Sequence, residues 1–257
     1  MPPSNASSVR AQLGNASKAV VRAGLRSMLR PIGFDVVRRY RMPSETFLGL
    51  GQLPIRTVVD VGANRGQFAR EILRFLPQAR VLCFEPLPDV FRSLQKWATS
   101  TAGAVVAYNL ALGETNGTSR MQVHVDWDYS SSLLDTTEHA IDVYPYQKGQ
   151  VTTQVRVARL DDFIADCDVP LIPDILVKVD AQGYDDRVLR GGQETLKRAR
   201  ACIIEINLDS LYEAQGTFRD IFLLLDSLGY TYAGNLDQAY TTAGHVVFID
   251  ALFLRCP

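Results

Sequence analysis

Two carboxylates and two glycines stand close together in the chain, in an order that suits a ligand containing a nucleoside. Asp60 ends a short apolar run, Gly62 and Gly66 follow it, and Glu85 ends the next apolar run. Glycines allow backbone conformations in which a ligand can come close to the main chain. A carboxylate at a strand end can accept hydrogen bonds from both hydroxyls of a ribose. These residues therefore predict a nucleotide-type site.

The spacing of the glycines separates two classes of such ligand. The dinucleotide fingerprint is G-x-G-x-x-G, whereas Gly62 and Gly66 form G-x-x-x-G. Asp60 would repel an anionic pyrophosphate, but it would attract a ligand that carries an ammonium and a sulfonium group. We therefore predict that the cofactor is S-adenosyl-L-methionine (SAM). The alternative is a generic Rossmann-like turn with Glu85 on the surface.

The elements that must position these residues follow the pattern of an α/β unit. Residues 57–60 read as a buried strand, and an amphipathic run that includes Phe68 reads as the helix after the turn. Strand and helix signals continue to alternate, and we expect a mostly parallel seven-stranded sheet with helices on both faces. The last two apolar runs, 230–233 and 246–254, are expected to form an antiparallel pair. Two period-two runs, 119–125 and 152–157, predict a hairpin beside the main sheet.

Five sequence blocks support a more specific reading. They are VVDVGANRGQF, CFEPLP, NLALG, SSLL and KVDAQGYDDRVLRGG. In this order they resemble the blocks of the FkbM-type SAM-dependent methyltransferases, from about residue 56 to residue 255. The resemblance implies a Rossmann-like class I methyltransferase fold and O-methylation, often of a sugar or a polyketide-type hydroxyl. Many members have D-x-E-G in the last block, where this chain has Gln182. An amide cannot act as a carboxylate base, so Gln182 is not a candidate for proton transfer.

The cofactor site is predicted to include residues from three strand ends. Asn64 lies inside the glycine turn, and Pro86 breaks the second strand at the ligand edge. The resemblance places the block that begins at Asn109 on the adenine side of SAM, although Asn109 can equally be a plain turn residue. The predicted cofactor-binding residues are Asp60, Gly62, Asn64, Gly66, Phe68, Glu85, Pro86, Asn109, Ala111 and Leu112.

Proton transfer needs a base near the acceptor, and two carboxylates and two histidines come into consideration. Asp180 is the first, because it closes the apolar run 175–179 at the edge where ligands bind in such sheets. Its alternative role is to cap the helix that begins near Tyr184. Glu205 lies inside an apolar strand, where a structural ion pair is the alternative role. His124 and His139 lie in a polar region, and each is more simply a structural histidine. The predicted catalytic residues are Asp180, Glu205 and His124. No carboxylate has a persuasive metal-ligand spacing, so no metal is predicted.

A long polar stretch between the two period-two runs is expected to bind the acceptor, because long loops in compact domains are usually functional. Trp127 and Tyr129 offer flat faces of the kind that stack on sugars, and pinning the loop is their alternative role. The predicted acceptor-binding residues are Trp127, Tyr129, Ser131, Ser132 and Tyr184. The acceptor is predicted to be a small molecule, glycan or glycolipid, with a sugar hydroxyl favoured by the resemblance. A non-catalytic SAM-binding scaffold and an NAD-dependent oxidoreductase are the alternative functions.

The charge of the chain is small but uneven. The net charge of −1 argues against nucleic acid as a partner. Residues 1–41 nevertheless hold eight basic side chains and one acidic one. Residues 9–30 alternate apolar and basic residues, so they predict either a helix on an anionic membrane surface or, as favoured, a helix that caps the domain. We expect residues 1–50 to form a basic helical extension and residues 51–257 to form the methyltransferase domain.

Cysteine usage and hydropathy predict the compartment. None of the four cysteines is at metal-ligand spacing, and two lie in apolar runs, as expected in a reducing environment. No apolar run approaches the length of a membrane span, and no signal-peptide pattern is present. The expected location is the cytoplasm, with possible association at the inner face of the membrane. The sequence does not determine the oligomeric state.

Overall fold

The computed structural model describes residues 21, 23–34, 42–125 and 128–256, which fall into two compact units. In the first unit, Met1–Thr46, residues 23–29 are helical, and short helical turns follow at Arg30–Ile32 and Pro43–Thr46. Most of the basic segment 9–30 lies outside the described residues. Within the described ranges, no helix combines the length and the apolar character that a bilayer crossing requires.

The described residues of the second unit, Phe47–Pro257, form ten strands and seven α-helices, together with short 3-10 turns. The strands are β1 Thr57–Val61, β2 Arg80–Phe84, β3 Val105–Tyr108, β4 Ala111–Leu112, β5 Gly117–His124, β6 Gln150–Ala158, β7 Ile175–Val179, β8 Ala201–Asn207, β9 Tyr230–Tyr240 and β10 Val246–Arg255. The helices are α1 Gln67–Phe75, α2 Pro88–Ala98, α3 Glu138–Val143, α4 Leu160–Asp166, α5 Asp185–Gly191, α6 Gln193–Arg198 and α7 Phe218–Ser227.

The main sheet has seven strands in the order β3-β2-β1-β7-β8-β10-β9. The first five of these are mutually parallel, and β10 is antiparallel to both of its neighbours. This confirms the predicted fold class, including the antiparallel last strand. β9 is longer than predicted, because it continues to Tyr240 through a region of register shifts against β10.

Alternation of side chains along the strands divides the core into two layers. Val58 packs in one apolar cluster with Ile72 of α1 and Leu94 of α2. Val59 packs in the other cluster with Leu189 of α5 and the remaining helices of that face. Burial of each such side chain contributes about 1.5–3 kcal/mol, so both faces of the sheet must be covered by helices. The carboxyl ends of the parallel strands remain open as an edge.

A second, three-stranded sheet carries the polar region of the sequence. Its order is β4-β6-β5, with β5 and β6 antiparallel, as the period-two runs predicted. The connection from β5 to β6 contains α3 and short 3-10 turns. This connection reaches the open edge of the main sheet, because Ser132 Oγ donates a hydrogen bond to the carbonyl oxygen of Gln182 at 2.6 Å.

Candidate active site

A cleft lies at the carboxyl edge of β1, β2 and β7 and encloses about 640 Å³, including space open to solvent. Ligands of open α/β sheets bind at this edge. Predicted cofactor residues that line the cleft are Gly62, Asn64, Glu85, Pro86, Ala111 and Leu112. Predicted acceptor and catalytic residues that line it are Tyr129, Ser131, Tyr184 and Asp180.

The two glycines of the turn have different structural roles. Gly62 has a φ of 73°, and a Cβ atom there would lie 1.9 Å from the carbonyl oxygen of Asp180. The turn after β1 therefore rests directly on the backbone after β7, which only glycine permits. Gly66 also has a positive φ, but its glycine is required by a different neighbour. A Cβ atom there would lie 2.6 Å from a ring carbon of Trp97. Gly66 does not line the cleft, and its observed role is to pack α1 against α2.

Glu85 is held by the backbone on both sides of the strand end. One carboxylate oxygen accepts a hydrogen bond from the backbone N–H of Asn64 at 2.9 Å, and the other accepts from Leu87 N–H at 2.8 Å. Burial raises the pKa of Glu85 to about 7, against the opposing effect of these two donors. Each oxygen keeps a further lone pair. The side chain is therefore oriented to accept ligand hydroxyls in its ionised form.

Asp60 lies beneath the turn rather than on the wall of the cleft. It is fully buried, and Asp60 Oδ1 lies 3.7 Å from the ammonium group of Lys178 on the neighbouring strand. Burial raises the pKa of Asp60, and Lys178 partly offsets the effect. Phe68 is likewise outside the cleft, with its ring 5.7 Å from Lys178 Nζ. Both residues therefore lie near Lys178 and do not line the cleft.

The acceptor side of the cleft is built around Asp180. Its Oδ2 accepts from Lys178 Nζ at 3.0 Å, and its Oδ1 accepts from Gln182 Nε2 at 2.7 Å. Gln182 Nε2 also donates to Glu205 Oε1 at 2.9 Å. Asp180 and Glu205, predicted separately from the sequence, are therefore joined by one amide group.

Carboxyl groups outnumber ammonium groups around Asp180 and Glu205, and this affects the pKa of Glu205 and the pKa values of several neighbouring groups. Burial, followed by the negative charges of Asp180 and Asp250, raises the pKa of Glu205 well above its ordinary value. Burial followed by Asp180 raises the pKa of Asp250 to about 6. Burial disfavours a charged Lys178, but the carboxylates of Asp180 and Asp60 outweigh that effect and raise its pKa. The arrangement keeps one ammonium group charged among several carboxyl groups and favours a protonated Glu205.

His124 and Asn109 have partners that leave them away from the cleft. His124 is fully buried, with Nδ1 2.7 Å from Ser130 Oγ and Nε2 3.0 Å from Thr136 Oγ1. The Asn109 amide donates to the carbonyl oxygens of Glu85 and Pro86, both at 2.9 Å. His124 therefore links two parts of the polar region through Ser130 and Thr136. Asn109 stabilises the backbone at the end of β2.

Three of the predicted acceptor residues, Tyr129, Ser131 and Ser132, lie on one segment that contacts the glycine turn. The Arg65 guanidinium makes two hydrogen bonds to the Asp128 carboxylate, at 3.0 and 2.6 Å. Gln67 Nε2 donates to the Tyr129 hydroxyl at 2.7 Å. Ser132 is buried and serves the backbone of Gln182 rather than the cleft. Trp127 lies outside the described residues.

The chemistry of the cleft wall is acidic. Its charged lining residues are Glu85, Asp128 and Asp180, and among the lining residues in the described part of the chain none is Lys, Arg or His. Such a wall suits a cationic sulfonium ligand and opposes a pyrophosphate. A carboxylate at the acceptor side can accept the proton that a hydroxyl nucleophile loses.

Comparison with known proteins identifies the family to which this chemistry belongs. The family model of the methyltransferase FkbM domain matches residues 60–232. The chain belongs to the FkbM methyltransferase family. It is a SAM-dependent methyltransferase, which confirms the predicted enzyme class and the sequence resemblance. An oxidoreductase is therefore set aside.

Individual relatives of this FkbM methyltransferase share much of its length. It is 29% identical over 188 residues to the 2-O-methyltransferase NoeI of Sinorhizobium fredii, covering 70% of this chain and 75% of NoeI. It is 26% identical over 148 residues to the hexuronic acid methyltransferase AglP of Haloferax volcanii, covering 58% of this chain and 54% of AglP. A solved FkbM structure from Methylobacillus flagellatus has a TM-score of 0.51 at 17% identity, covers 83% of this chain and 48% of that chain, and supports the fold.

Several residues of the FkbM methyltransferase site were missed by sequence reasoning. Lys178 carried a signal, because a lysine inside an apolar strand needs a charged partner. Gln182 was set aside as a base, yet its amide joins the two candidate carboxyl groups. Met121 and Leu133 line the cleft, and Tyr212 bonds to Gln182. These contacts join distant parts of the chain, and no local pattern predicts them.

Proposed function

We propose that this FkbM methyltransferase transfers the methyl group of SAM to a hydroxyl of a neutral small molecule, glycan or glycolipid, with a sugar hydroxyl favoured. The observation that carries the proposal is the Asp180 carboxylate on the cleft wall, fixed by Lys178 and Gln182. An alcohol is a weak nucleophile and needs such a proton acceptor as its oxygen forms a new bond.

The residues of the cleft fit SAM. Glu85 would accept the ribose hydroxyls, Gly62 and Asn64 would lie beside the amino acid part, and Ala111 and Leu112 would form an apolar wall for the adenine. The acidic lining suits the positive charge of the sulfonium. When bound, SAM supplies an electrophilic methyl group, and its sulfur keeps the electron pair of the broken carbon–sulfur bond.

The protein's own contribution is alignment and proton removal. Asp180 takes the acceptor's hydroxyl proton as the acceptor oxygen bonds to carbon. The raised pKa of Glu205 favours its protonated form, which limits the negative charge beside Asp180. Correct alignment of two bound reactants can contribute roughly 7–11 kcal/mol to lowering the barrier. The segment that carries Asp128 and Tyr129 supports this alignment by closing over the glycine turn.

The charge of the wall supports a neutral acceptor. An acceptor carboxylate or phosphate would lie near Asp128 and Asp180 without a basic lining residue to bind it. The name of NoeI supports methylation on oxygen, and the name of AglP supports a sugar-derived acceptor. Because the name of AglP gives a hexuronic acid as its acceptor, we expect the two proteins to differ in the charge of the acceptor that they methylate.

An acceptor screen by mass spectrometry tests the proposal. Neutral glycosides, matched uronates, glycolipids and polyketide-like alcohols are each incubated with SAM and scored for a methyl increment and for S-adenosylhomocysteine. We expect products from neutral hydroxyl compounds and at least tenfold less from the matched uronates. The variant Asp180→Asn is the matched control. Methylation confined to amines or to anionic acceptors would contradict the proposal, and bound SAM without any product would favour a scaffold.

We also propose that the N-terminal unit contacts an anionic membrane surface. Its described part exposes the apolar side chains of Leu25, Met28, Ile32 and Phe34. Basic residues are interspersed among them in the sequence, a combination typical of interfacial segments. Deletion of residues 1–30 should abolish salt-sensitive binding to phosphatidylserine vesicles and leave methyl transfer to a water-soluble acceptor intact. Failure of the full chain to bind such vesicles at low salt would refute membrane contact.

A further inference from the structure

The Gln182 side chain occupies the centre of the acceptor side and is bonded at both ends. Its Nε2 donates to Asp180 Oδ1 at 2.7 Å and to Glu205 Oε1 at 2.9 Å. Its Oε1 accepts from the Tyr212 hydroxyl at 2.7 Å. The direction of the amide is chemically determined, because an ionised Asp180 offers only acceptors while a phenol can donate. Each end of the Gln182 amide therefore meets the partner that it requires.

The backbone of Gln182 is fixed as firmly as its side chain. Its φ is 52°, a left-handed conformation that non-glycine residues seldom adopt. The Gln182 carbonyl oxygen accepts from Ser132 Oγ at 2.6 Å. The next residue, Gly183, lies against the Tyr212 ring, where a Cβ would be 2.7 Å from a ring carbon. An uncommon backbone conformation that is held from several sides is typical of functional sites.

The consequence for Asp180 is that both of its oxygens are oriented. Lys178 Nζ holds Oδ2 at 3.0 Å from within the sheet, and Gln182 holds Oδ1 from the loop side. The carboxylate cannot rotate without losing one of these bonds. Its remaining lone pairs, which must accept the acceptor's proton, consequently have one orientation with respect to the cleft.

We infer that Gln182 is a positioning residue for methyl transfer: it orients the Asp180 carboxylate and, through the same amide, links it to Glu205. Tyr212 orients Gln182 in turn. This inference rests on the proposed function, in which Asp180 is the base. It assigns a role in the reaction to a side chain that cannot itself take a proton.

The test begins with Gln182→Met, which keeps the length and the unbranched Cβ of glutamine but removes both hydrogen-bonding ends. We expect kcat to fall roughly 10- to 100-fold, as for loss of a hydrogen bond to a charged group, with the KM for SAM changed less than about 2-fold. A circular-dichroism melt checks that the variant is folded. An unchanged kcat in a folded Gln182→Met protein would overturn the inference.

The pH profile separates positioning from packing. Loss of the Gln182 amide removes a hydrogen bond to each of two neighbouring carboxyl groups, so the acidic limb of kcat should move to higher pH. Gln182→Glu should move it in the same direction, because it adds a carboxyl group. Charged and titratable groups that face Asp180 are Lys178, Asp60, Glu205, Asp250, Asp185 and Tyr212. Measurement of kcat at saturating SAM removes the separate titration of Glu85. An acidic limb that stays in place in both variants would contradict the role.

Tyr212→Phe provides a milder variant, because it keeps the ring against Gly183 and removes only the hydroxyl, which donates to Gln182 Oε1 and also lies 3.0 Å from the carbonyl oxygen of Ser130. We expect a loss of roughly 3- to 10-fold in kcat. In the double variant with Gln182→Met, kcat should equal that of Gln182→Met alone, since both changes act through one group. Independent, multiplying losses would overturn the inference. If Asp180→Asn keeps full turnover, the proposed base is wrong; if only Gln182→Met does, Asp180 remains the base and Gln182 has no part in positioning it.

Discussion

The two halves of the cleft are built by different means. On the cofactor half, at the ends of β1 and β2, mainly backbone groups position the site. Gly62 lets the turn rest on the next strand end, and Glu85 is held by two backbone N–H groups. On the acceptor half, at the ends of β7 and β8, side chains position the site, because Lys178 and Gln182 donate hydrogen bonds to the Asp180 carboxylate.

The difference teaches what each half tolerates. Backbone donors and a missing Cβ depend on the path of the main chain at the strand ends, so the cofactor half depends on backbone conformation. The acceptor half depends on the balance of buried charges and on bonds between distant segments. A change there alters protonation and orientation, and we therefore expect the effects on turnover to exceed those on cofactor affinity.

The largest effect is expected from Asp180→Asn. This change keeps the size of the side chain but removes the proton acceptor, so turnover should fall roughly 10²–10⁴-fold while SAM affinity stays within about 3-fold. Single-turnover kinetics and calorimetric titration of SAM measure the two quantities. If affinity and turnover collapse together, Asp180 belongs to the cofactor half and the comparison fails.

Lys178→Met tests whether the acceptor half depends on its buried ammonium group. Removal of one partner from a buried ion pair costs about 3–5 kcal/mol, and here it leaves Asp60 and Asp180 without a nearby cation. Chemical denaturation should show this loss. Lys197→Met is the control, since Lys197 pairs with Glu194 at an exposed site, and a loss below about 1 kcal/mol is expected. Equal losses in both variants would remove the case for a buried charge network.

Glu85→Ala tests the cofactor half. Loss of hydrogen bonds to a charged group should weaken SAM binding by about 1.5–3 kcal/mol. Isothermal titration of SAM measures the change, and Glu71→Ala, at an exposed position of α1, is the control. Turnover at saturating SAM should remain close to that of the unmodified protein. A variant that binds SAM normally would show that Glu85 does not hold the ribose.

The same residue predicts a pH dependence of binding. Because the pKa of Glu85 is raised to about 7 in the free protein, part of the population is protonated at neutral pH. Ribose hydroxyls donate best to the ionised form, so SAM affinity should rise with pH up to about 7.5 and then level off. Between pH 5.5 and 7.5 the change should be roughly 10- to 30-fold. Glu85→Gln should bind more weakly and lose this dependence; a dependence that persists would assign it to another group.

The smallest effect concerns the contact that joins the halves. Arg65 and Asp128 are partly exposed, so a double-mutant cycle with alanine at each position should give a coupling of about 0.2–1 kcal/mol in stability. We also expect a severalfold faster release of SAM when either is changed, measured by stopped-flow fluorescence. In the swapped pair, Arg65→Asp with Asp128→Arg, a release rate of SAM equal to that of the unmodified protein would support an ion pair that holds the two halves together. An unchanged release rate in every variant would mean that this ion pair does not retain SAM.

Sequence reasoning predicted the sheet and the cofactor half better than the acceptor half. Buried strands and the final antiparallel pair follow from apolar periodicity, and the glycine turn with Glu85 follows from local spacing. The bonds of Gln182 to Glu205 and Tyr212 join residues 23 and 30 positions apart, and no periodic pattern encodes them. Gly66 shows a further limit, because its need for glycine comes from the ring of Trp97 on another helix. The roles of individual site residues stay predictions until the variants are measured.

The absence of a side chain at Gly62 has a consequence for SAM analogues with longer alkyl groups. The main chain of the glycine turn already contacts the main chain of Asp180 at Gly62. A larger residue at Gly62 would therefore push the ends of β1 and β7 apart and would disrupt the sheet edge instead of enlarging the cleft. An allyl or propargyl donor needs extra room beside the transferable carbon. Met121 and Leu133 also line the cleft, and shortening their side chains would supply such room. Engineering of this enzyme for alkyl transfer therefore begins on the three-stranded sheet.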